Sequence, residues 1–195
     1  MTRKVILMET ERLYLRTWLE TDLDPFAHMC ADPVVMRYFP DVLTREKTAQ
    51  LVSRCIEKQE KDGFSMAPVE VKATGEFLGF VGLNTPTYAA PLPFEPCVEI
   101  GWRLKQSCWG KGYASEAAGA WLRFGFETIG LEEIVAFTIP ANEPSQKVMA
   151  RIGMRRDPDG DFLHPSLPQD HPVATHVLYR LRKRDWIALR GNTAR

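Results

Sequence analysis

Two hydrophobic rhythms alternate along the chain. Leu13, Leu15 and Trp18 predict a short strand that enters a turn. Leu23, Phe26, Ala27 and Cys30 then share a helical face, with Thr21 placed to cap that helix. Thr48, Leu51, Val52, Cys55 and Ile56 repeat the helical spacing behind a second cap residue, Thr44, and Gly63 marks where this longer helix stops. The rhythm changes at Phe64. Residues 64–71 and 77–83 read as an antiparallel hairpin turning at Gly75, in which Pro68 demands an edge or a bulge. Pro86, Pro91, Pro93 and Pro96 mark an irregular loop. Val98, Ile100, Trp102 and Leu104 then alternate with Glu99, Gly101 and Arg103, a strand with two unlike faces.

From Gly112 the helical period returns. Ala114, Ala117, Ala118, Trp121, Leu122, Gly125 and Ile129 share a face, and Gly130 ends it. Residues 134–139 are almost all apolar, as in a strand buried on both faces. Asn142 caps a fourth helix that closes at Gly153. Residues 155–172 are polar and Pro-rich and read as an irregular segment. Residues 177–181 form a last strand and residues 185–189 a short terminal helix. Meander strands followed by a βαβα unit give an α/β (α+β) fold: one mixed central sheet of about six to seven strands with helices on both faces. A length of 195 residues fits a single domain, 1–195.

Composition narrows the partners. The chain is 45% hydrophobic and 26% charged, a globular balance that argues against disorder. Lys+Arg equals Asp+Glu at 25 each, so no net charge draws it to nucleic acid or to an anionic membrane. No run approaches the ~20 apolar residues of a membrane span. The short apolar run before Glu9 is too brief for a secretory leader. Cys30, Cys55, Cys97 and Cys108 form no CxxC pair and have no His at zinc-finger spacing, which fits core thiols in a reducing, cytoplasmic compartment with no metal. His164, His171 and His176 lack the spacing of a helical zinc pair. Asp157, Asp159, Asp161 and Asp170 share their segment. This is a solvated loop or, with Glu95 and Glu99, a negative entrance for a cationic amine.

The chemistry concentrates between Leu104 and the next helix. Gly110 and Gly112 let backbone approach a ligand closely. The first N–H groups of the helix lack internal partners, and with the helix dipole they attract an anion. Lys111 adds a positive charge there. A glycine-softened helix start without a ligand would use the same residues. The dinucleotide pattern G-x-G-x-x-G fails at Ser115. The P-loop pattern fails at Lys105 and again at Gly112.

Trp109-Gly110-Lys111-Gly112-Tyr113-Ala114 resembles the acetyl-CoA loop of the GNAT N-acetyltransferases, Q/R-x-x-G-x-G/A. Trp109 departs from the general pattern but is usual in the branch of RimJ/RimL-type ribosomal-protein alanine acetyltransferases. Glu9-Thr10-Glu11-Arg12-Leu13, Glu99-Ile100-Gly101-Trp102 and Asn142-Glu143-Pro144-Ser145 with Gly153-Met154 resemble that branch in order and spacing. The resemblance spans roughly residues 9–182. It implies acetyl-CoA as co-substrate, its pyrophosphate held by N–H groups of Trp109 to Ala114. It implies a pantetheine arm beside Ile100, Gly101 and Trp102, with a backbone N–H near Ile100 polarising the thioester. It also implies a hydrogen bond from Asn142 to that arm. The family's tyrosine acid position is Met149 here, which leaves Ser145 as the proton donor. Glu99 is the first candidate for the base and Glu95 the second. The acceptor is a primary amine, either a protein N-terminus or a small molecule. A homodimer is compatible with the family. Two rival readings stand beside this one: a non-catalytic acyl-CoA-binding module and a nucleotide binder.

Overall fold

The structure, a computed structural model, describes residues 3–193, with side chains described to residue 191. Eight strands form one sheet in the order β1-β2-β3-β4-β5-β6-β8-β7: β1 (Ile6–Glu9), β2 (Leu13–Arg16), β3 (Met66–Val71), β4 (Phe77–Asn84), β5 (Glu99–Leu104), β6 (Glu133–Thr138), β7 (Arg155–Leu163) and β8 (Thr175–Arg182). The helices are α1 (Leu23–Ala31), α2 (Pro33–Met36), α3 (Arg45–Asp62), α4 (Tyr113–Arg123), α5 (Glu143–Arg151) and α6 (Lys183–Thr193). The chain falls into two compact units. The first holds the chain up to Asn84 and Gly101–Trp121; the second holds Thr85–Ile100 and the chain from Leu122.

In the first unit β1 to β4 pair antiparallel in sequence order. Trp18, Phe26, Met29, Cys30, Val35, Cys55 and Phe80 form its core, with Leu51, Val52 and Ile56 of α3 packed on it. The rings of Trp18 and Phe26 lie 5.1 Å apart, and Phe26 lies 5.4 Å from Phe80. α3 starts where the sequence predicts. Thr44 Oγ1 accepts from the Lys47 N–H at 3.2 Å, and Gly63 closes the helix in the left-handed region at φ 79°. α1 starts differently. Thr21 lies in a 3-10 turn (Glu20–Asp22), and the N-cap is Asp22, whose carboxylate is spent elsewhere.

That carboxylate belongs to a buried network. Arg16 is 2% exposed. Its NH1 and NH2 donate to Asp22 at 2.6 and 2.8 Å, and its Nε donates to Glu70 at 2.7 Å. Lys4 reaches the other Glu70 oxygen at 2.5 Å, and the Leu19 N–H donates to Asp22 at 2.8 Å. Burial opposes charge on Arg16, and the bonds to Asp22 and Glu70 outweigh it, so its pKa is raised. The network ties β2 to β3 and to the turn before α1.

Pro68 sits inside the sheet, not on an outer strand. It pairs with Phe80 of β4, while β3 pairs with β2 only over Val69–Val71. Its missing N–H therefore faces no ladder on the β2 side. The Trp18 Nε1–H donates to the Met66 carbonyl on that stretch at 2.9 Å.

In the second unit β6 pairs antiparallel with β8 over six positions, and β8 with β7. β5 meets β6 in parallel at Glu99↔Val135. The eight strands exceed the six to seven expected. β1 is an exposed four-residue edge strand. β7 corrects the reading of residues 155–172 as irregular: nine of them, Arg155–Leu163, are a strand. Its run Arg-Arg-Asp-Pro-Asp-Gly-Asp is edge-strand chemistry, with charge, Pro158 and a bulge between Asp157 and Phe162 that blunt an open edge. No helix among the described residues is long and apolar enough to cross a membrane.

Replacing Arg16 with Met takes the cation from the buried Asp22 carboxylate and leaves Glu70 with Lys4 alone. Arg16→Met is expected to lose about 3–5 kcal/mol of stability, read from the urea midpoint at an unchanged m-value.

Candidate active site

The loop between β5 and α4 has the local geometry its glycines predict. Gly110 and Gly112 stand in the left-handed region at φ 74° and 81°. Open space surrounds the missing Cβ of Gly110. α4 begins at Tyr113, and the Glu116 N–H donates to the Gly112 carbonyl at 3.0 Å, closing the first turn. Trp109 is 38% exposed and pinned by its Nε1–H, which donates to the Leu104 carbonyl at 2.8 Å. Arg37 lies over its ring at 5.2 Å. Lys111 is exposed.

A brace from the start of β2 holds this loop. The Glu116 carboxylate accepts from Thr10 Oγ1 at 2.6 Å, from the Arg12 N–H at 2.9 Å and from Arg12 Nε at 2.6 Å. Arg12 NH1 donates to the Lys111 carbonyl at 3.0 Å, and its guanidinium lies 4.6 Å from the Tyr113 ring centre. Burial alone would raise the Glu116 carboxyl, but the Thr10 and Arg12 bonds hold it below the usual carboxylate range. Sequence reading used Thr10 and Arg12 only as part of an opening motif and passed over Glu116.

The remaining site residues lie along β5 and in the second unit. Ile100 is 3% exposed, while Gly101 and Trp102 are half-buried. Glu99 is half-buried and shares a face of β5 with Gly101 and Arg103. Asn142 caps α5: its Oδ1 accepts from the Ser145 N–H at 3.3 Å and its Nδ2 donates to Thr138 Oγ1 at 2.9 Å. Both ends of the amide are thus engaged within the fold. Ser145 is half-buried in the first turn of α5. Met149 is 2% exposed, a core residue. Tyr179 of β8, which sequence reading did not single out, donates its hydroxyl hydrogen to Gln146 Oε1 at 3.2 Å and so brings a phenol to the start of α5.

A second cluster in this unit gathers residues from the Pro-rich loop, β6, β7 and β8. Phe162 lies 5.1 Å from Phe94 and 5.4 Å from Phe137, and the Tyr88 ring meets His164 at 4.6 Å. His164 and His176 lie 5.0 Å apart. Their backbone partners fix the tautomers. The Ser166 N–H donates to His164 Nδ1 at 3.2 Å, so that nitrogen carries no proton. His176 Nδ1 lies 3.0 Å from the Ala174 carbonyl and must donate to it. Burial, then the neighbouring His176, lowers the His164 pKa to about 4, and burial lowers His176. Burial, then Glu99 and Glu95, pushes the Cys97 thiol up to about 11. These histidines are therefore part of a packed aromatic cluster and not a solvated loop.

Residues 12–155 match the family model of the acetyltransferase (GNAT) domain. The chain belongs to the GNAT acetyltransferase family. It is 30% identical over 177 residues to the uncharacterized N-acetyltransferase YnaD of Bacillus subtilis (strain 168), covering 91% of this chain and 97% of that one. The crystal structure of a GNAT-family acetyltransferase from Bacillus anthracis superposes with a TM-score of 0.74 at 30% identity, over 91% of this chain and 98% of the other. The ribosomal-protein-S5-alanine acetyltransferase of Vibrio fischeri shares the fold, with a TM-score of 0.66 at 22% identity over 92% and 97%. The GNAT match ends at the start of β7, so the β7–β8 hairpin that carries His164 and His176 lies beyond it.

The histidine pair gives this acetyltransferase a pH signature. The folded-state pKa of His164 is depressed, so its contribution is complete above the unfolded value of ~6.5 and is lost as pH falls toward about 4. Stability from urea denaturation is expected to fall between those values, and His164→Phe is expected to flatten that slope. Equal slopes in both proteins would exclude the pair as its source.

Proposed function

We propose that this GNAT chain transfers an acetyl group from acetyl-CoA to a primary amine by direct attack in a ternary complex. The observation that carries the reading is the loop 109–114. Its two left-handed glycines precede the N-terminus of an eleven-residue helix, and Arg12 draws the Lys111 carbonyl into a bond of its own. A phosphate cradle needs N–H groups turned toward the anion and carbonyls turned away. Trp109, Gly110, Lys111, Gly112, Tyr113 and Ala114 take the pyrophosphate in this reading, with Ile100, Gly101, Trp102 and Asn142 along the pantetheine arm. The four reduced thiols fit a reducing compartment such as the cytoplasm.

In the transfer, the amine nitrogen attacks the thioester carbon and the oxyanion is met by a backbone N–H near Ile100. A lysine-like amine has a reference pKa of ~10.4, so less than ~0.1% is neutral at pH 7. Glu99 takes that proton. The carbon–sulfur bond then breaks, and Ser145 supplies a proton to the CoA thiolate. The acceptor is a protein N-terminus or a small molecule.

Thiol release from acetyl-CoA across an amine panel tests the activity. Glu99→Gln is expected to lower kcat by about 10²–10⁴, and Ser145→Ala by less. Near-normal rates for both across pH would remove these assignments. Binding of acetyl-CoA without thiol release from any amine would favour the non-catalytic module, which the buried Met149 at the tyrosine position also suits.

Arg12→Ala releases both the Lys111 carbonyl and Glu116. It is expected to raise the KM for acetyl-CoA about tenfold while changing kcat less than about threefold. An unchanged KM would show that the loop holds its shape without the brace.

A further inference from the structure

The buried and half-buried arginines differ in the company they keep. Arg16 holds Asp22 and Glu70, and Arg180 holds Asp157 and Glu133. Arg103 on β5 is also half-buried, yet it forms no ion pair among the described residues. Its guanidinium lies 4.2 Å from the Phe39 ring centre and 5.6 Å from that of Phe80. NH1 donates to the Cys30 thiol at 3.2 Å, a weak acceptor. The Nε–H is buried and finds no acceptor among the described residues. Cys55, which also feels the Arg103 charge, supplies no anion, because burial pushes its thiol up to about 11.

Two aromatic faces return part of the cost of drawing a cation from water. That falls short of what a carboxylate returns to a guanidinium drawn from water. The arrangement is that of a cation whose partner arrives with a ligand. The guanidinium fork matches an oxyanion in geometry as well as charge. Arg37, two residues before Phe39, extends the positive edge. It stacks on Tyr38 at 4.7 Å and on Trp109, and it too forms no ion pair among the described residues.

We propose that Arg103 binds a carboxylate of the acetyl acceptor, so that the acceptor class is an amine that also carries an acid group, such as an amino acid. The assignment rests on the transfer reading above. Two observations favour the acceptor over the phosphates of CoA. Phosphates are served by the loop N–H groups and by the exposed Lys111, whereas Arg103 is sunk beneath Phe39 against Cys30. Arg103 also shares a face of β5 with Glu99, the proposed base.

The test compares amino acids with their carboxamides, which keep the amine and lose the charge. The wild-type protein is expected to favour one or more acids over their amides by about 10- to 100-fold in kcat/KM. Arg103→Gln is expected to abolish that preference and leave the KM for acetyl-CoA within about twofold, and Arg103→Lys to restore part of it. Melting curves and circular dichroism check that both variants fold. No acid-over-amide preference in the wild type, or a preference that survives Arg103→Gln, overturns the proposal. So does a raised KM for acetyl-CoA in Arg103→Gln that vanishes with 3′-dephospho-acetyl-CoA, which would assign the anion to a CoA phosphate. If no amine releases thiol, the transfer reading fails by itself. Thermal stabilisation by an acid and not its amide, lost in Arg103→Gln, then still supports the carboxylate subsite, and its absence sinks it.

Discussion

One carboxylate organises the residues that face the proposed cofactor. Glu116 gathers donors from Thr10, the Arg12 backbone and the Arg12 side chain, and it does so from the first turn of α4. The start of β2 is thereby tied to the start of that helix. Through Arg12 the tie reaches one residue further, to the Lys111 carbonyl. A loop with two left-handed glycines has many conformations open to it, and glycine carries the largest entropic cost of ordering. The brace holds the loop in one of them before any ligand arrives, which lowers the ordering cost of binding. It also explains why an arginine so close to the proposed anion site need not be a ligand: its charge is already committed to Glu116.

The same accounting separates structural from functional arginines elsewhere. In the interior a guanidinium is tolerated when carboxylates surround it, as around Arg16, where Asp22 and Glu70 are themselves nearly buried. Arg180 repeats the pattern on β8 with Asp157 and Glu133, joining β7 and β6 to the strand between them. Arg103 breaks it, with rings and a thiol in place of carboxylates. The contrast is internal to one molecule, so no general difference in environment explains it.

Much of the fold was legible because its signals are local. The α3 caps, the hairpin at Gly75 and the buried β6 follow from residues within a few positions of each other. What escaped is set by partners distant in sequence. β7 is too charged to announce itself, and it becomes a strand because β8 offers a ladder. Pro68 looks like an edge residue, and the local lack of pairing with β2 supplies the edge inside the sheet. The site divides the same way. The backbone geometry of loop 109–114 could be read from its glycines and the helix period, whereas the Glu116 brace joins residues about a hundred positions apart. Arg103 reads in the alternating strand as an ordinary polar residue, and only the lack of a counterion among the described residues singles it out.

The two proton-transfer groups do not carry equal weight in the proposed chemistry. A lysine-like acceptor amine, with a reference pKa of ~10.4, lies more than three units above pH 7, so removing its proton is obligatory for that class of acceptor. A thiol with a reference pKa of ~8.5 leaves as a thiolate far more readily, and water can protonate it afterwards. Demand therefore falls on the base and much less on the acid. The structure around the proposed acid agrees with that asymmetry. The Ser145 N–H is fixed by the Asn142 cap, and the position where the family places a tyrosine is filled by Met149, packed in the core. An apolar residue there removes an acid and gains packing, a change the proposed chemistry tolerates because its leaving group needs so little help.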